Sequence, residues 1–121
     1  MKPITTYKDL VVWEKSMELA CRIYEITGSF PDSEKFGLVK QLKKSAVSIP
    51  SNIAEGAGRR SSQEYIRFIT ISLGSLAELE TQLLLSQKLG FYNLEKDDYQ
   101  LTEIRVMLFG LIKKLKQLQK A

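Results

Sequence analysis

In this 121-residue chain the stretch with the most obvious chemical potential is GAGRRSSQEY, residues 56–65. Glycines, adjacent arginines and serines together suggest a loop that cradles phosphate with backbone N–H groups. The spacing does not support that chemistry. A nucleotide-binding P-loop needs G-x-x-x-x-G-K-[ST] between a strand and a helix, and a dinucleotide fingerprint needs a third glycine after a strand. Neither pattern occurs. What remains is a helix start at Ser61, whose unpaired N–H groups and dipole favour an anion, with Arg59 and Arg60 beside it.

Catalytic apparatus is equally sparse. The chain has no histidine, which removes the usual general base near neutral pH and the commonest metal ligand. The Glu-x-x-His pairs of di-iron bundles are thereby excluded. Cys21, the single cysteine, has no imidazole to activate it, and no Ser-x-x-Lys occurs. Glu78 and Glu80 would point about 200° apart on a helix, so they form no one-face carboxylate pair. The residues describe a non-enzymatic protein with no cofactor and no metal.

Positive charge is the chemistry the sequence does offer. Lys and Arg total 18 against 14 Asp and Glu, a net charge of +4 with a pI near 9.2, which favours polyanionic partners. Three clusters stand out: Lys40, Lys43 and Lys44; Arg59 and Arg60 with Arg67; and Lys113 and Lys114 with Lys116 and Lys120. Each is a candidate contact to nucleic-acid phosphate. Each also fits a solvated outer face, and the last fits compensation of a helix dipole at its C-terminus. No nucleic-acid recognition motif is present, so sequence-specific readout is not expected. Trp13, Tyr24, Phe36, Tyr65 and Phe68 lie on or beside apolar stripes and read as core packing rather than base stacking.

Amphipathic helices must position these residues. The first, over 8–27, carries Leu10, Trp13, Met17, Ala20 and Tyr24 at steps of three and four, with Val12, Leu19, Ile23 and Ile26 widening the stripe. The second, over 33–57 with Asp32 or Ser33 as its cap, carries Leu38, Leu42, Ser45, Ala46, Ile49 and Ile53. Pro50 interrupts this phase without ending it, so a kink is expected there, with Asn52 satisfying nearby backbone. The third, over 62–89, opens on a Ser61/Glu64 capping box. Its seam runs Tyr65, Phe68 or Ile69, Ser72, Leu76, Leu79, Leu83 and Ser86, and Gly90 supplies a positive-φ stop. The fourth, over 94–119 and capped by Asn93, places Glu95, Asp97 and Asp98 in its first turns and lysines in its last. Leu101, Ile104, Leu108, Leu111, Leu115 and Leu118 form its seam. The whole is one all-α domain, an antiparallel up-down four-helix bundle.

Apolar residues are 44% and charged residues 26%, ordinary globular usage, and no uninterrupted apolar run approaches the ~18 residues of a membrane span. With no signal-peptide core and a lone cysteine, a cytoplasmic protein without a membrane partner is expected.

The stretches DLVVWEKSMELACRIYEIT, FPDSEKFGLVKQLKKSAVSIPSNIAEGAGRRSSQEYIRFITISLGSLAELETQL and LGFYNLEKDDYQ are similar to the small four-helix-bundle proteins encoded in intervening sequences of bacterial 23S rRNA genes. Residues 48–59 and the GSLAELE of 74–80 carry the resemblance most specifically. It implies an up-down bundle, a ring-shaped homopentamer as in relatives, and no established enzymatic activity. A related group, the accessory proteins of diversity-generating retroelements, shares the bundle and ring, acts with a reverse transcriptase and binds nucleic acid through basic surface. The expectation is therefore a homo-oligomer that binds RNA or DNA without strong sequence preference. The alternative is a scaffold that recruits a protein partner. Val11, Val12, Ile71 and Leu84 broaden the apolar stripes in the way self-association requires.

Overall fold

The computed structural model describes residues 6–120. Four helices follow in order: α1 Val11–Thr27, α2 Leu38–Ala57, α3 Ser62–Lys88 and α4 Asp98–Lys120. Short 3-10 turns precede α1 (Tyr7–Asp9), α2 (Asp32–Glu34) and α4 (Leu94–Lys96). Each helix packs on its neighbour in sequence and α4 returns to α1, which closes an antiparallel up-down four-helix bundle. The fully buried core draws Leu19 and Ile23 from α1 and Leu42, Ile49 and Ile53 from α2. From α3 it takes Ile69, Leu76, Leu79 and Leu83, and from α4 Leu101, Ile104 and Leu108. Burying each such side chain stabilises the fold by about 1.5–3 kcal/mol before chain entropy is counted.

The expected seams of α2 and α3 are the observed ones, and that of α4 holds as far as Leu115; Leu118 is exposed. In α1 the phase is inverted. Val12, Ser16, Leu19, Ile23 and Ile26 face the core, whereas Met17 and Tyr24 of the expected seam are exposed and Leu10, Trp13 and Ala20 are only partly buried. Both sets recur at three and four, and the larger aliphatics take the interior because they bury the most apolar area without a polar tip. Val12 therefore belongs to the core and does not widen an outer stripe. Among the aromatics, Phe36 is 83% exposed, while Phe30 enters the core and meets Phe91 at 5.6 Å between ring centroids.

Local signals explain most boundaries. Ser61 Oγ accepts from the Glu64 amide at 3.1 Å, the first half of the expected capping box, and Gly90 ends α3 with φ 82°. Asp32 and Ser33 do not cap α2. Successive bonds from Glu34 N to Pro31 O, Lys35 N to Asp32 O and Gly37 N to Glu34 O wind this segment as 3-10 turn, and α2 begins only at Leu38. Asn93 caps the 3-10 turn ahead of α4 through the Glu95 amide.

Helix α2 runs through Pro50 without a break, and a polar ladder ties this stretch to α3. Asn52 Nδ2 donates to the Ser48 carbonyl at 2.8 Å and to Ser48 Oγ at 3.0 Å. Ser48 Oγ and Ser75 Oγ are hydrogen-bonded at 2.7 Å, and Ser72 Oγ donates to the Ile49 carbonyl at 2.9 Å. Gly56 completes the close approach, since a Cβ there would lie 2.9 Å from Phe68 Cβ and 3.2 Å from the Tyr65 carbonyl. Helix α3 contains no uninterrupted apolar run of membrane-spanning length, yet it is long and apolar enough by composition to cross a membrane. Its apolar content comes from two sides, the core seam and an outer set comprising Ile71, Leu84 and Leu85.

Candidate interaction surfaces

Because α1 turns its second stripe outward, a groove opens between α1 and α2. Trp13, Met17 and Tyr24 form one wall, Val47, Pro50 and Ala54 the other, and the volume is about 780 Å³. Tyr7 closes one end edge-on against Trp13, with ring centroids 5.3 Å apart. Lys43 covers the other, its Nζ 4.5 Å from the centre of the Tyr24 ring. The exposed Cys21 lines the same groove. Across the bundle, on the α3/α4 side, Leu84 and Leu85 of α3 and Tyr99, Val106 and Phe109 of α4 are exposed. These two apolar faces are unlike in shape and residue type.

The antiparallel order decides which basic clusters meet. The C-terminus of α2, the N-terminus of α3 and the C-terminus of α4 share one end of the bundle. Arg59, Arg60, Arg67, Lys113, Lys114 and Lys116 are thus gathered there, all exposed. The side chain of Lys120 lies outside the described residues. Lys40, Lys43 and Lys44 sit near the start of α2, toward the opposite end; Lys40 and Lys44 are exposed and Lys43 is half-buried against Tyr24. Within the basic end, Arg59 pairs with Glu55 and stacks 4.6 Å over the Phe68 ring, and the Arg67 guanidinium lies 5.7 Å from that ring. Arg60, Arg67, Lys113, Lys114 and Lys116 make no ion pair among the described residues.

At the other end lies a clamp that local sequence patterns do not reveal. Asp97, its side chain 5% exposed, accepts from Arg22 Nε at 2.8 Å and from the Tyr92 hydroxyl at 2.5 Å. Burial and the Asp97 carboxylate together push the Tyr92 hydroxyl pKa well above its ordinary 10.0, and hydrogen bonding to Asp97 raises that of Arg22. Asp97 reads in sequence as a dipole-compensating acid, but its partner is Arg22, 75 residues away. Two further ion pairs, Lys15 to Glu103 at 3.2 Å and Arg105 to Glu80 at 2.9 Å, bind α4 to its neighbours. Among the described residues no three His, Cys, Asp or Glu side chains group as a metal site.

Comparison with known proteins agrees with the architecture. The crystal structure of a protein of unknown function from the S23 ribosomal protein family of Bacteroides thetaiotaomicron VPI-5482 is similar at 28% identity. The match covers 92% of this chain and 100% of that one, with a TM-score of 0.62. No curated protein matches the chain. The family model for 23S rRNA-intervening sequence proteins matches residues 8–110. That span takes in α1, the Pro50 helix, the basic hinge, α3 and the first half of α4, leaving Lys113, Lys114 and Lys116 beyond it. With this much of the bundle matched, the chain belongs to the 23S rRNA-intervening sequence protein family.

Proposed function

We propose that the chain is a non-enzymatic, cytoplasmic, self-associating bundle whose basic end holds the phosphate backbone of RNA or DNA without strong sequence preference. The observation that carries this reading is the gathering of Arg59, Arg60 and Arg67 with Lys113 and Lys114 at one end. The opposite end mixes the carboxylates Asp32, Glu34, Glu95 and Asp98 with the lysines Lys35, Lys40, Lys44, Lys88 and Lys96. A polyanion is therefore steered toward the first end. Self-association is supported by the apolar α1/α2 groove and by the exposed apolar side chains of α3 and α4 across the bundle from it. Such faces suit a heterologous contact, which closes into a ring when the rotation permits, and a homopentamer is one such closure. Bundles set side by side in a ring would bring their basic ends to one rim, where weak phosphate contacts add.

Fluorescence anisotropy with labelled RNA and DNA at ~50 mM and ~200 mM salt tests the reading, since each neutralised phosphate contributes to the salt slope. Removing charge at Arg60 and Lys113 should lower affinity and slope together; changing Lys40 and Lys44 should not. Light scattering should give several times the 13.8 kDa mass of one chain. An intact oligomer that ignores both polynucleotides at the lower salt would sink the nucleic-acid reading. A scaffold that recruits a protein partner would then be favoured by the α1/α2 groove, which is lined mostly by apolar side chains with Glu25 and Ser51 among them.

A further inference from the structure

We infer that the Arg59, Phe68 and Arg67 stack is a platform for an unpaired base, so that the basic end takes single-stranded nucleic acid in preference to duplex. This rests on the nucleic-acid reading above and specifies its ligand. Phe68 stands in the second turn of α3, half-buried where the bare backbone of Gly56 lets α2 come close. The Arg59 guanidinium lies 4.6 Å over its ring while Glu55 bonds Nη2. Two contacts therefore fix the guanidinium plane before any ligand arrives, which reduces the ordering cost of binding.

That arrangement makes Arg59 a poor phosphate contact and a good stacking surface. Glu55 already offsets its charge, whereas the guanidinium keeps the planar face on which a base packs. Its side chain is 38% exposed, which leaves part of the guanidinium within reach of a ligand. Arg67 brings a second planar cation to the same ring. The phosphates fall to Arg60, Lys113, Lys114 and Lys116, which are exposed and without ion pairs among the described residues. A duplex can meet those cations but offers no free base face, because its bases stack on one another. A single strand satisfies both features at once.

The test compares a labelled single strand of about 12 nucleotides, a length within the usual site sizes, with the same sequence as duplex. Arg59→Lys keeps the charge and removes the plane. It should weaken single-strand binding about fivefold to tenfold and duplex binding much less, with the salt slope unchanged because the charge is kept. A 2-aminopurine in the strand should be quenched by the wild-type protein and much less by this variant. Phe68→Leu should behave alike, with its thermal melt recorded because Phe68 also packs at the helix seam; Arg59→Lys carries the test if that variant unfolds. Equal losses on single strand and duplex, or no loss on the single strand, overturn the platform and leave the polyanion reading standing. A wild-type protein that binds neither form overturns both.

Discussion

The α2/α3 seam and the α1/α4 seam join helices by different chemistry. Between α2 and α3 the bonds are neutral and short: Ser48 with Ser75, Ser72 with the Ile49 carbonyl, and Ser45 Oγ to Gln82 Oε1 at 3.0 Å. Small side chains let the backbones approach, and Gly56 permits the closest contact. Between α1 and α4 the side-chain bonds are ion pairs, Lys15 with Glu103 and, just ahead of α4, Arg22 with Asp97. The first is about a third exposed, so solvent screens most of its attraction. Only the second, with its carboxylate buried, is a strong tie. Helices α2 and α3 therefore form the fixed half of the molecule. Helix α1 is held by one apolar stripe and one clamp, which leaves its other stripe to face outward.

The sharpest way to break this contrast is at the fixed seam. Ile53→Asp places an unpaired carboxylate at a position with 0% exposure, and should cost on the order of 4 kcal/mol in urea denaturation. Pro50→Ala restores an N–H toward the Ala46 carbonyl and should leave the protein folded with its helices intact. Equal tolerance of the two would mean that α2 is not anchored beyond its proline. On α1, Leu19→Ala should cost about 3 kcal/mol, whereas Met17→Ala should stay within about 0.5 kcal/mol and act on self-association instead. Equal destabilisation by both would return α1 to the opposite phase.

That α1 pair also marks what the sequence could disclose. In α2, α3 and α4 one stripe holds nearly all the large aliphatics, so periodicity alone selects the buried face. In α1, Trp13, Met17 and Tyr24 compete with Leu19, Ile23 and Ile26 at equal spacing. Spacing does not decide between them; packing of the aliphatic side chains against α2 and α4 does. The basic clusters were legible as charge, but their grouping needed the antiparallel order, which put the hinge beside the end of α4. The Phe68 platform and the Asp97 clamp were hidden for a related reason. Each depends on residues from different helices or connections, and the clamp spans 75 positions.

A smaller effect is expected at Gly56. Gly56→Ala gains helix propensity worth about 1 kcal/mol. The new methyl would meet Phe68 Cβ at 2.9 Å and the Tyr65 carbonyl at 3.2 Å, neither of which is the far end of a flexible chain. Forced separation at such a contact costs about 1–3 kcal/mol, so the net change should be destabilising by about 1 kcal/mol. A stabilised variant would show that the α2/α3 seam has slack and is not the fixed half.

The subtlest distinction is in alkaline solution, because the serine and glutamine bonds of the α2/α3 seam involve no titratable group and the clamp does. Tyr92 has a hydroxyl pKa raised above 10.0 in the folded chain by burial and by its bond to Asp97. Below pH 10 both folded and unfolded Tyr92 hold the proton, and its contribution is fully present. As pH rises above 10 the unfolded chain releases that proton first, so stability falls until the folded hydroxyl also ionises. Tyr92→Phe should cost about 1 kcal/mol at neutral pH through the lost hydrogen bond, and should also flatten this alkaline decline. Tyr65, raised by burial alone, keeps its own share of the slope in that variant, and Tyr65→Phe should leave the Tyr92 share in place. Urea midpoints between pH 8 and pH 11, a window set by the ordinary tyrosine value near 10, separate the two. An unchanged alkaline limb in Tyr92→Phe would mean that Tyr92 ionises as freely folded as unfolded. The Tyr92 arm of the clamp would then be open, and the Asp97 carboxylate would be held by Arg22 without it.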